Sequence, residues 1–251
     1  MEKAGDMKIV FSRKGFDSGS GGGPSPIVDG RALSLPIPEQ RGRGGPTYSN
    51  RKMGGHVRRA SRGKVQSWHR MHNDPMFGKK GWAALGQYGA AQTHLERQGV
   101  GAGDLFLFFG LFCEEGGAPH HRFFGYLYVS EMVKLAECDE ASRKSFVDVG
   151  HPHAIRMLGN NDAIWYGRGA ANAPALDALR LTVHEGPASL WRVPGWLRET
   201  GLSYHDKPER WLPDDRLQSV ARGQEFVADI GERADARGWA GEIVRMISGK
   251  A

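Results

Sequence analysis

Two stretches of the chain run almost wholly apolar. They are Asp104 to Phe112, with Leu, Phe, Leu, Phe, Phe, Gly, Leu and Phe after the aspartate, and Phe123 to Glu131, which carries four aromatic residues. Short runs this rich in aromatic and aliphatic residues, bounded by Gly, Pro and His, predict paired core strands of an antiparallel sheet or small barrel. Met7 to Phe11 predicts a further short buried strand. Leu33 to Pro38 predicts an edge strand whose prolines limit pairing. Leu176 to His184 predicts another strand, closed by a turn at Glu185, Gly186 and Pro187. Helical spacing appears twice. Leu85, Tyr88, Ala91 and Leu95 predict a helix over Trp82 to Gln98, with Gly99 as its stop. Trp239, Ile243, Met246 and Ile247 predict an amphipathic helix over Gly238 to Ile247. Between them Trp191 to Leu197, with two tryptophans, reads as a segment packed on the core.

The intervening segments have a different composition. Ser12 to Pro26 carries five glycines and two prolines, which forbids regular structure and permits close backbone approach to a ligand. Glu39 to Gly63 is Arg-, Gly- and polar-rich and predicts a long loop, a feature of functional or unstructured segments. No repeat is visible and no linker divides two cores. The expected fold is α+β, a mixed or antiparallel sheet with a PUA-like barrel as one form of its core. Flanking helices and long N-terminal loops complete a single domain over 1–251.

Charge and cysteine content narrow the setting. The 251 residues carry a formal net charge of +6. Arg51, Lys52, Arg58, Arg59, Arg62, Lys64 and Arg70 fall in one stretch without an acidic residue, whereas the chain from Asp206 onward is of mixed sign. Such asymmetry suggests a basic face that tracks phosphates, a solvated loop being the plainer alternative. Cys113 and Cys138 form neither a disulfide framework nor a zinc ribbon and fit a reducing compartment. The start has no signal-peptide pattern. Leu105 to Cys113, the longest apolar stretch, is far short of the roughly 20 residues of a membrane helix. A cytosolic protein without membrane contact is expected.

Four groups of residues carry candidate chemistry. The glycine-rich loop can aim backbone N–H groups at an anion; Arg13 and Lys14 add charge, Ser18 and Ser25 hydroxyls, and Asp17 an acid or base. Neither a Walker motif nor GxGxxG is present. His69, His72 and Asp74 form a His-x-x-His-x-Asp run, and His151-Pro152-His153 a His-x-His pair. Two histidines and an aspartate make a facial metal triad where they converge, but phosphate binding or proton transfer is the reading favoured here, with no metal assigned. Gln87, Gln92 and His94 lie on or near the predicted helix, and Tyr48 sits in the long loop. Arg222, Gln224 and Glu225 are suited to a base edge or a ribose by bidentate bonds, and equally to a structural ion pair.

The order helix, Gly-Asp, aromatic strand, turn and second aromatic strand resembles the small PUA-like barrels that bind modified bases. On a longer scale KIVFSRKGFDSGSGGGPSPI, LSLPIPE, HNDP, GQYGAAQTHL with GAGDLFLFFG, HPH, LSYH and RGQEFV together resemble the third nucleotide-modification-associated domain family, nearly end to end. That resemblance implies a setting of phage and bacterial systems that modify DNA bases, and no particular reaction. The chain departs from the family pattern at Trp68 to Asn73, so only His72 and Asp74 carry over there. Two function classes follow. In the first, an enzyme modifies nucleic-acid bases or nucleotides: Arg13 and Lys14 hold a phosphate, Asp17 or Glu39 acts as acid or base, His72 and Asp74 assist, and Arg222, Gln224 and Glu225 orient base or sugar. Duplex DNA would require base extrusion. In the second, a non-catalytic reader binds modified bases in an aromatic pocket. The sequence names no cofactor or cosubstrate.

Overall fold

The most apolar stretch, Leu105–Cys113, is a strand buried on both faces. Leu105, Leu107 and Phe109 enter one core, while Phe106, Phe108 and Phe112 enter another. A strand of this kind is stable only when both faces are covered, and the rest of the chain supplies the two covers. The structure, a computed structural model, describes residues 5–39, 45–221 and 223–249.

In chain order the elements are β1 (Met7–Arg13), β2 (Ser25–Val28), β3 (Arg31–Ala32), α1 (Gly54–Ala60), β4 (Met76–Phe77), β5 (Trp82–Gln87), α2 (Gly89–Arg97), β6 (Leu105–Cys113) and β7 (His120–Lys134). There follow α3 (Glu140–Asp148), α4 (Pro152–Ile155), β8 (Ala163–Ala170), β9 (Leu190–Arg192), α5 (Gly195–Thr200), β10 (Trp211–Leu212), β11 (Arg216–Gln218), β12 (Glu225–Gly231) and α6 (Ala234–Ile247). The main sheet runs β12-β1-β6-β7-β8-β5-β4, with β2 and β3 attached beside β6. It is mixed: β1 and β2 pair parallel to β6, and the other main-sheet pairs are antiparallel. The sheet curls into a half-barrel, giving an α+β fold with a barrel-like core. A small sheet, β10-β11-β9, carries Trp191 and Leu217 into the first core.

The amphipathic helix α6 covers that core with Ala236, Ala240, Ile243 and Ile247. Its Trp239 stacks on Phe11 with ring centroids 6.1 Å apart. No helix among the described residues is long and apolar enough to cross a membrane.

The aromatic strand pair, β1 and α6 form where the sequence pattern predicts them. Four segments differ. Trp82 to Gln98 is a strand followed by a helix: WAALGQ is buried along nearly its whole length between β4 and β8, and Tyr88 is still extended. Helix begins only at Gly89, and Gly99, in the left-handed region at φ 63°, ends it as expected. Leu33 to Pro38 makes no strand and has one isolated bridge, Pro38 to Met71; its prolines lack the N–H that a ladder needs. Leu176 to His184 is a short 3-10 turn plus single bridges. The predicted loop over Glu39 to Gly63, of which 40–44 fall outside the described residues, contains α1, held down by Val57 in a small core with Phe16, Leu35, Tyr48, Val65 and Met71.

One buried histidine couples this packing to pH. His121 on β7 accepts the Trp191 indole N–H at Nδ1, 3.0 Å away. Burial first, and then the charge of Arg13, push its pKa down from 6.5 to about 3. The folded value lies below the unfolded one, so the unfolded chain binds the extra proton throughout the window between them. Stability therefore falls as pH drops below about 6.5, by on the order of 2 kcal/mol at about pH 5 from this group. His121→Gln keeps an acceptor for the indole and does not titrate. Urea unfolding of that variant should lose less stability than the parent between neutral and mildly acidic pH, and an unchanged acid limb would assign the effect to other groups.

Candidate functional site

The curl brings together strands that are far apart in the sheet. Gln87 Nε2, at the end of β5, donates to Glu225 Oε1, at the start of β12, over 2.6 Å, although β1, β6, β7 and β8 lie between them in sheet order. The same oxygen accepts from Lys14 Nζ at 2.6 Å and from Ser12 Oγ at 3.1 Å. Glu225 is 2 % exposed, and its Oε2 has no hydrogen-bond partner among the described residues. Burial raises its pKa above the usual carboxylate range, with the bonds and charge of Lys14 acting the other way.

Where β1 ends, Arg13 is anchored. Its Nη1 and Nη2 donate to the carbonyls of Ala221 and Val220, and its guanidinium lies 5.7 Å from the Phe109 ring centroid. Burial lowers its pKa and Asp17 works against that. The glycine-rich loop that follows is ordered by its own side chains. Asp17 Oδ1 accepts the N–H groups of Gly19 and Ser20 at 2.8 and 2.7 Å. Gly21, at φ 94°, lies so close to the Phe16 ring that a Cβ there would sit 2.4 Å from it.

The opposite wall is an ionisable cluster. His72 Nδ1 meets Glu39 Oε2 at 3.2 Å. Asp74 Oδ1 accepts the Gly86 N–H at 2.8 Å. His153 Nδ1 faces Asp162 Oδ1 at 2.5 Å, and the second oxygen of Asp162 accepts the Leu158 N–H at 2.7 Å. Among the described residues, His72, Asp74 and His153 each offer a ligand atom within 4.8 Å of the others and could hold a metal ion. Burial works to lower the His153 pKa, but the bond to Asp162 and the charges of Asp74 and Asp162 leave it above the ordinary imidazole value. Burial dominates at His151 and takes its pKa down to about 4.

Between the walls is a cavity of about 330 Å³, within the range of roughly 300–1,000 Å³ common for small-molecule sites. Of the residues singled out from sequence, Arg13, Lys14, Asp17, Glu39, His72, Asp74, Gln87, His153 and Gln224 line it, and Glu225 lies against Lys14 beneath them. Others do not belong to that lining. Ser18 is exposed on the loop. Ser25 Oγ accepts the Leu35 N–H, and the Tyr48 hydroxyl donates to Pro36 O, both fixing loop to loop. Gln92 Oε1 takes the Trp165 indole N–H, and His94 Nε2 lies 2.9 Å from Ser203 Oγ. For Ser25, Tyr48, Gln92 and His94 a structural bond uses the polar group. Arg222 lies outside the described residues. Sequence reasoning named His153 and Gln87 among the candidates without giving either a role, and did not single out Gly86 or Asp162. His153 is signalled by the His-Pro-His pair, and Gln87 by its place before α2. Asp162 reads only as a turn residue after two asparagines, and nothing local marks Gly86.

The close approach of β5 to His153 rests on Gly86. A Cβ at this position would lie 2.3 Å from the imidazole, and the Gly86 N–H also holds Asp74. Gly86→Ala should therefore cost about 1–3 kcal/mol by overpacking and displace His153 from Asp74. Urea unfolding checks the first, and nitrogen-15 NMR of the histidine rings the second. A variant with unchanged stability and histidine spectra would show that the wall yields freely.

No curated protein and no solved structure matches the chain. The model of the nucleotide modification associated domain 3 family matches residues 8–229, and thus takes in both walls of the cavity: the chain belongs to that family.

Proposed function

We propose that the chain modifies a nucleotide unit, free or within DNA, in the cavity between β1 and the histidine cluster. The observation that carries this reading is the pairing of two unlike walls. One presents anchored cations and a glycine-rich turn, suited to a phosphate. The other presents two histidines and an aspartate, suited to reaction at the base or sugar. Tyr88, 40 % exposed at the rim, offers a ring face on which a base can stack. A reader of modified bases would call for an aromatic cage, whereas Tyr88 is the one phenol or phenyl ring among the described lining residues.

The direct test is mass spectrometry of digested DNA and of free nucleotides, natural and hypermodified, after incubation with the purified chain. A changed mass identifies the group moved. Tight binding that prefers one modified base, with no mass change, would instead make the protein a reader. Asp17→Asn keeps an oxygen for the Gly19 and Ser20 N–H groups, so it should fold as the parent does. If Asp17 transfers the proton, turnover falls by about a hundredfold or more, and full activity would remove it from that role.

DNA as the substrate is supported by the basic stretch. Arg51, Lys52, Arg58, Arg59, Arg62, Lys64 and Arg70 are all exposed, and Trp68 among them is 67 % exposed. This segment packs through Val57 and Val65 on the small core that also holds Phe16 of the glycine-rich loop. Neutralising only two phosphates would make duplex affinity fall about tenfold for a fourfold rise in salt. Arg58→Glu with Arg59→Glu should flatten that slope in fluorescence anisotropy. A flat slope in the parent would leave free nucleotides as the substrate.

A further inference from the structure

We propose that His72, Asp74 and His153 hold a divalent first-row transition-metal ion in the wall of the cavity, resting on the nucleotide-modification reading only for what the ion would do there. These side chains stand close without bonding one another. His153 Nε2 stands 4.0 Å from Asp74 Oδ2, and His151 Nε2 stands 3.6 Å from Asp74 Oδ1. Both distances are too long for hydrogen bonds. The groups gather without pairing, as donors around an ion do.

The second observation lies behind the histidines. Each of the two has a carboxylate at its Nδ1, Glu39 for His72 and Asp162 for His153. A carboxylate there fixes the tautomer, aims Nε2 and raises its basicity, which is the outer-shell arrangement of metal-bound imidazoles. Asp74 is positioned likewise, through the Gly86 N–H. The third observation is His151. It is fully buried, and among the described residues neither of its ring nitrogens has a hydrogen-bond partner. An unsatisfied buried imidazole beside an aspartate is costly, and an ion seated at Asp74 offers one of those nitrogens a bond.

The donor set selects the ion class. Imidazole together with carboxylate suits zinc, iron and their neighbours, whereas calcium and magnesium prefer oxygen alone. Bond lengths of about 2.0–2.2 Å place donors roughly 3–4 Å apart, so the present spread of up to 4.8 Å closes by small side-chain rotations. Three protein ligands leave coordination positions open. Since all three residues line the cavity, those positions would take water or an oxygen of the bound nucleotide, and the ion would act there as a Lewis acid.

The test uses the full chain, stripped with chelator and titrated with Co2+ alone, read by its visible d–d absorption. One Co2+ per chain is expected. His72→Ala, at a half-buried position, and Asp74→Asn, which still accepts the Gly86 N–H, should each weaken binding by more than about a hundredfold. Glu39→Gln should weaken it about tenfold, the smaller loss typical of an outer-shell partner. His69→Ala, in the same histidine run but bonded to the Gln66 N–H, should leave affinity unchanged. Circular dichroism of the metal-free variants verifies folding. Absence of saturable uptake by the parent would overturn the proposal. Uptake that survives His72→Ala and Asp74→Asn would overturn it too. The titration contains no nucleotide, so its failure counts against the ion only. A null mass-spectrometric result beside tight Co2+ binding would remove the nucleotide reading and leave the ion site standing.

Discussion

The double-sided burial of β6 is the constraint from which the architecture follows. A strand carrying Leu105, Leu107 and Phe109 on one face and Phe106, Phe108 and Phe112 on the other cannot lie at an edge or face water. It takes β1 as a parallel neighbour and β7 as an antiparallel one. One face is closed by α6 and the small sheet, the other by the curl of the main sheet onto itself. Curling leaves an end, where polar side chains gather with Ile37, Pro38, Tyr88 and Leu158 around the cavity.

At that end the stabilising logic reverses. A buried ion pair such as Lys14 with Glu225 gains little net stability, since desolvation offsets attraction. Glu225 Oε2 and both nitrogens of His151 are unmatched among the described residues, each a cost in a folded protein. What the network achieves is placement. Glu225 ties β12 to β1 and β5 through Lys14, Ser12 and Gln87. Gly86 ties β5 to Asp74 and makes room for His153. The two walls are thus held against each other by the groups that stability alone would discard.

Legibility in the sequence followed the same division. The aromatic strands and α6 declared themselves because burial and periodicity act on side chains that the sequence names. Trp82 to Gln87 did not, because Ala, Leu and Gly have little strand preference and the segment is made a strand by its neighbours β4 and β8. Nor did α1, where Gly54, Gly55 and two arginines hide the single anchoring Val57. In the cavity, residues marked by type, such as Arg13, Asp17, His72 and Asp74, were visible one by one. Their meeting with His153 was not, because α4, which carries it, is set by the bond to Asp162 and by the missing side chain at Gly86. Tyr48, Ser25, Gln92 and His94 show the converse: residues of suggestive chemistry that tertiary contacts employ in holding loops and helices.

Ser12 and Glu225, bonded to each other, are 213 residues apart in the chain. During synthesis Ser12 emerges 213 residues before Glu225, so the cavity has no floor until β12 has left the ribosome. Long-range closure of this kind is slow. It also means that a chain stalled before β12 carries Arg13, Lys14, His72 and Asp74 without the enclosure that brings them together.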